Sequence, residues 1–218
     1  MGEDLSVKII VGLVSVIVGL ILGQIISGVK GVILRYKIKK ALLTELMDIR
    51  IELGRVEQSF LRSLQLVALK CTEGSVPQKL SNFIFTENYK NIALHLNQEQ
   101  RISYQMIHGY VATVNADIEK LEKLISDVER EVILEEQPAK ASYLKSYSMK
   151  IQQAYMNACV THWHIDHHLK NKKNPVLREE GEQYEAYEKL QDDVKECVEN
   201  TIKKAEKMKL SDFGITVS

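Results

Sequence analysis

Residues 9–29 form an unbroken run of twenty-one without a charged side chain. In a helix rising about 1.5 Å per residue, such a run is about 31 Å long, which matches the hydrocarbon core of a bilayer. Lys8 and Lys30 bracket it. A helix also satisfies its own backbone hydrogen bonds, as any segment crossing lipid must. The run therefore predicts a transmembrane helix over 9–31. A cleaved signal peptide fits less well. The chain starts with Glu3 and Asp4 rather than a basic region, the apolar stretch is long, and no small-x-small cleavage site follows. Residues 1–6 match the letters of an N-myristoylation pattern, but two acids directly after Gly2 argue against it.

Charge orients the span. Lys8 precedes it, whereas Lys30, Arg35, Lys37, Lys39 and Lys40 follow within about ten residues. The positive-inside rule keeps that side in the cytoplasm and leaves residues 1–8 outside. The expected location is thus the cell (inner) membrane, single-pass, and the same five cations are placed to contact lipid headgroups. Over the whole chain 29 basic residues balance 29 acidic ones. That balance gives no hint of a nucleic-acid or polyanion partner, and a nucleic acid is not expected. Cys71, Cys159 and Cys197 are odd in number, far apart and form no CxxC pair, which suits a reducing compartment.

The span carries a second pattern. Ser15, Gly19, Gly23, Ser27 and Gly31 recur every fourth residue. Small residues in that register line one helix face, where a second helix backbone can approach closely, so the stripe predicts a homo-oligomer. Gln24 is the one strongly polar side chain in the span.

Beyond residue 31 the period is helical throughout. Ile38, Leu42, Leu46, Ile49, Leu53, Val56, Phe60, Leu64 and Val67 step by three or four, with no break between this stripe and the span. Ile107, Val111, Val114, Ile118, Leu121, Ile125, Val128 and Val132 give a second stripe. Leu144, Tyr147, Ile151, Ala154, Ala158, Ile165 and Leu169 give a third, and Tyr184, Tyr187, Val194, Val198, Thr201, Ala205 and Met208 a weaker fourth. Pro77, Pro138 and Pro175 lie in the polar stretches between them. Thr86 reads as the N-cap of a short extra helix. The prediction is an all-α chain: one N-terminal transmembrane helix, then a cytoplasmic antiparallel bundle of about four long helices over 32–210, and a disordered tail over 211–218. Coiled-coil pairing between chains is the alternative use of these stripes.

Two short patterns carry catalytic letters. Residues 162–168 read His-x-His-x-Asp-His-His. This resembles the metal-binding signature of the metallo-β-lactamase superfamily, and the resemblance implies a zinc hydrolase with His162, His164, Asp166 and His167 as ligands. The match covers six residues, in a segment whose spacing is helical. On a helix turning about 100° per residue, His162 and Asp166 share one face, and His164 and His168 lie roughly 120–160° away. The four ligand letters cannot then meet at one ion. His162 falls in the core register and is expected to be a buried histidine paired with Asp166, with His167 nearer the surface. His164 and His168 alone keep a spacing that could hold a metal. Arg101 and His108, two turns apart, resemble the Arg-x(4–6)-His motif of HEPN ribonuclease domains, which implies cleavage of RNA by paired helical domains. No phosphate-binding glycine loop, nucleophile motif or Glu-x-x-His pair is present.

The sequence therefore points to a membrane-anchored helical protein that self-associates and acts as a scaffold, sensor or membrane effector, with bacterial stress or phage defence as a setting. It calls for no cofactor, and its cytoplasmic bundle is expected to bind a protein partner or sense a signal. The alternative is a HEPN-like ribonuclease or a metal-dependent hydrolase on a membrane anchor.

Overall fold

The computed structural model describes residues 2–72, 75–134, 140–175 and 182–215. The chain is all-α, and no strand occurs among the described residues. Its helices are α1 (Gly2–Ala68), α2 (Phe83–Ile92), α3 (Gln98–Leu134), α4 (Lys140–Lys170) and α5 (Glu182–Ala205), with short 3-10 turns at Ala93–His95 and Leu210–Phe213. The apolar span and the first core stripe belong to one helix. α1 has 67 residues, about 100 Å at the standard rise, because neither proline nor a glycine pair interrupts it.

The two halves of α1 differ in their surroundings. From Leu13 to Leu34 its large apolar side chains are exposed on every side of the helix; Val16 and Leu20 are 63% and 64% exposed. From Leu42 onward one face is buried: Leu42, Leu46, Leu53 and Leu64 are at most 1% exposed. Ile107, Val111, Val114, Ile118 and Leu121 of α3 close the core with Tyr147, Ile151, Ala154, Ala158 and Ile165 of α4, and Val194 and Val198 of α5 complete it. Each fully buried branched or aromatic side chain contributes about 1.5–3 kcal/mol, which offsets the cost of ordering the helices. Val128 and Val132 have side chains outside the described set, and Pro138 lies outside the described residues.

α4 is antiparallel to three neighbours. Arg50 and Glu57 of α1 meet Asp166 and His162. Tyr110 and Asp117 of α3 meet His164 and Asn157. Tyr187 and Cys197 of α5 meet Trp163 and Tyr155. By contrast α1 and α3 run the same way, because the connection between them returns along the bundle. Lys79 meets Glu119, Leu80 exchanges two hydrogen bonds with the Asn115 amide at 2.7 and 2.9 Å, and the Ser81 amide donates to Glu52. The fourteen residues between α1 and α2 reach about 46 Å when extended, more than the roughly 35 Å rise from Glu45 to Ala68.

Two local expectations change. α2 begins at Phe83, with Asn82 as N-cap and no side-chain cap; Thr86 lies inside the helix, its hydroxyl on the Asn82 carbonyl at 2.9 Å. The 3-10 turn Leu210–Phe213, closed by Gly214 at φ 73°, extends into the tail expected to be disordered from residue 211. Arg62 holds it, its guanidinium 5.7 Å from the Phe213 ring and 3.4 Å from the Phe213 carbonyl.

Candidate functional site

The first candidate is the exposed part of α1. Gly19, Gly23 and Gly31 have no atom within 4 Å of an added Cβ, and the same holds for Gly12 and Gly28 off the stripe, so the helix is open around these glycines. No charged residue interrupts the sequence between residues 9 and 29. The five cations beyond it divide into two groups. Lys30, Lys37 and Lys40 are exposed. Arg35 and Lys39 turn to the 3-10 turn after α2: Arg35 reaches the His95 ring at 3.4 Å, and Lys39 donates to the His95 carbonyl at 2.6 Å. They brace the bundle on the base of the apolar helix.

The second candidate is the histidine-bearing segment of α4, which is helical and splits its letters between faces. His162 and Asp166 turn to α1. The His162 ring bonds Glu57 at 2.8 Å, and Asp166 pairs with Arg50. His162 is thus half-buried and partnered by Glu57, not a core residue paired with Asp166; that hydrogen bond raises its pKa. The interior positions belong to His164, His167 and His168, at 4%, 7% and 1% exposure. His167 is buried rather than superficial, because α4 is covered on three sides by α1, α3 and α5. His168 bonds Ser103 Oγ at 2.8 Å and packs on Tyr104. His164 stacks on Tyr110 and meets Tyr187. His167 stacks on Trp163.

His164 and His168 therefore have separate partners from α3. Burial lowers both pKa values to about 4 and lowers that of His167 as well, so all three rings are neutral at pH 7. Neutral imidazole is the form that binds metal. Among the described residues, however, no group of three or more His, Cys, Asp or Glu side chains converges.

Arg101 and His108 are likewise drawn to different tasks. Arg101 donates to the Leu96 carbonyl at 2.7 Å and so closes the turn before α3. His108 is 5% exposed and stacks on Phe85 with centroids 3.6 Å apart. Burial, helped by the nearby His168, lowers its pKa to about 3. A general acid or base must reach its substrate, whereas both ring nitrogens of His108 are enclosed without a hydrogen-bond partner. The His108 ring does border an open cleft of about 530 Å³ that Asn82, Thr86, Tyr89 and Lys90 also line.

Sequence periodicity missed Glu45. It lies beside the core stripe, is 5% exposed, and its carboxylate accepts the Ile84 and Phe85 amides at 2.5 and 2.9 Å. Burial raises its pKa against the lowering effect of those amides. His108 Nε2 is 3.8 Å away, beyond hydrogen-bond distance. Only a long-range contact reveals this arrangement; nothing local to residue 45 signals it.

No protein-family model matches the chain, and no significant match links it to a curated protein or a solved structure.

Proposed function

We propose that this chain is a single-pass protein of the cell (inner) membrane that self-associates through α1 and carries a cytoplasmic helical bundle as a scaffold, sensor or membrane effector. One observation carries the reading: the apolar side chains from Leu13 to Leu34 are exposed around the whole helix, with none covered by the bundle. In water such a surface would be a severe aggregation liability; in lipid it is the solvated state. The basic residues that follow support an N-terminus outside and a bundle in the cytoplasm.

The stripe of Ser15, Gly19, Gly23, Ser27 and Gly31 supports pairing of two such helices. On this reading the bundle is the part that meets a cytoplasmic protein partner or senses a signal. Full-length protein should stay in the membrane pellet after alkaline carbonate extraction. An epitope fused after Ser218 should resist protease in intact cells; its digestion there would reverse the orientation. Gly19→Ile with Gly23→Ile should reduce crosslinked oligomers in membranes, and an unchanged pattern would remove the stripe as the contact.

A further inference from the structure

The end of the bundle nearest the apolar span is built from segments distant in sequence. The 3-10 turn Ala93–His95 is braced on α1 at Arg35 and Lys39. These residues follow Gly31, the end of the span, by about 6 and 12 Å along the helix axis. Arg35 is thus at the height of the headgroup layer, which adds several ångströms to each side of the hydrocarbon core, and Lys39 lies just beyond it. At the same level Tyr36 is 68% exposed and Leu94 is 90% exposed. Beside the turn, Asn97 donates to the Lys173 carbonyl at 2.8 Å and Gln100 donates to the Lys172 carbonyl at 2.9 Å. These two bonds fix the loop after α4 by its backbone and leave the Lys172 and Lys173 side chains exposed. Glu99 is the acid of this turn, and the Asn174 amide lies 2.9 Å from it.

We infer that this end of the bundle is a docking surface for the anionic headgroups of the bilayer that α1 enters, with Leu94 as its apolar wedge and Lys172 and Lys173 as its cations. The inference rests on the reading of α1 as a membrane span. It adds a second, bundle-borne contact to the cations that follow that span. Two features select lipid as the occupant. The surface is continuous with the apolar helix, so a bilayer around α1 meets Leu94 without any change in the fold. It also presents a leucine 90% exposed on a turn whose neighbouring loop carries two exposed lysines, which pairs an apolar side chain with cations at an anionic interface. Each lysine at an anionic surface strengthens binding about five-fold. Docking at Leu94 would hold the bundle upright on the membrane rather than swinging on α1.

The test uses full-length protein reconstituted into vesicles, with Leu94→Trp as reporter and the emission of native Trp163 subtracted. Phospholipids brominated on their acyl chains should quench the residue-94 emission in vesicles containing phosphatidylserine, and far less in phosphatidylcholine alone. Lys172→Glu with Lys173→Glu should abolish the difference while helicity, carbonate resistance and the melting temperature stay unchanged. Equal quenching in both lipids, or quenching indifferent to the lysine substitutions, would overturn recognition of anionic headgroups. Absence of quenching in a carbonate-resistant protein would overturn docking while keeping the anchor. Extraction of the native chain by carbonate would overturn the anchor and the docking with it.

Discussion

His162 and His168 sit on the same helix and look alike in sequence, yet their neighbours assign them different weights. Replacing His168 by Ala removes a ring packed on Tyr104 and strands the Ser103 hydroxyl, which is 1% exposed. The expected cost is about 2–4 kcal/mol. His162→Ala gives up a bond to Glu57 between side chains 24% and 18% exposed, and should cost about 1 kcal/mol or less. Urea unfolding of the two variants in the same detergent measures both. Equal losses, or a larger loss at His162, would contradict the placement. The helical period alone separates these letters into two faces. Which face is deeper was not legible, because α4 is covered on three sides and its stripe of small and aromatic residues does not mark an exposed back.

Among the elements, α2 depends most on a residue outside itself. Its first amides bond Glu45, thirty-nine and forty residues earlier in the chain. Glu45→Ala should leave two part-buried N–H groups without their acceptor and cost about 1–2 kcal/mol. Glu45→Gln keeps an acceptor and should cost less. Hydrogen exchange over Phe83–Ile92 should rise in the alanine variant before exchange in α3 or α4 does; uniform change across the bundle would refute a local capping role. Reading the sequence locally picks Thr86 as the cap, since its hydroxyl and position fit the usual signature. Burial of Glu45 against the helix start decides otherwise. The continuity of α1 was legible, because its apolar period runs from the span into Leu42 and Leu46 without a breaker. The parallel course of α1 and α3 was not, because it depends on where Leu80 and Asn115 meet rather than on any property of the loop.

For the whole molecule, the enclosed histidines tie stability to pH. His108, His164 and His168 have pKa values lowered to about 3, 4 and 4 from an ordinary value near 6.5, with burial as the largest cause in each. The unfolded chain therefore binds more protons than the folded one between those limits, and stability must rise with pH across that interval. Their contribution is complete above about pH 6.5 and is lost as pH falls toward the folded values, at up to about 1.4 kcal/mol per pH unit for each ring. Two groups act in the opposite sense. The pKa of His162 is raised by Glu57, so its contribution is present below its ordinary value and fades as pH rises past the folded one. The pKa of Glu45 is raised by burial, which favours the acid side in the same manner. Three deeply enclosed rings, with His167 shifted in the same direction, outweigh one half-exposed histidine and one carboxyl group, so the melting temperature of full-length protein should climb between pH 5 and 6.5 and then level off. Ordinary carboxylates titrate below that window and cannot produce the slope. His168→Gln should flatten it by about one ring's share, as measured by circular dichroism melts in detergent. A melting temperature that is constant or falls from pH 5 to 6.5 would mean that these histidines are not held neutral inside the bundle.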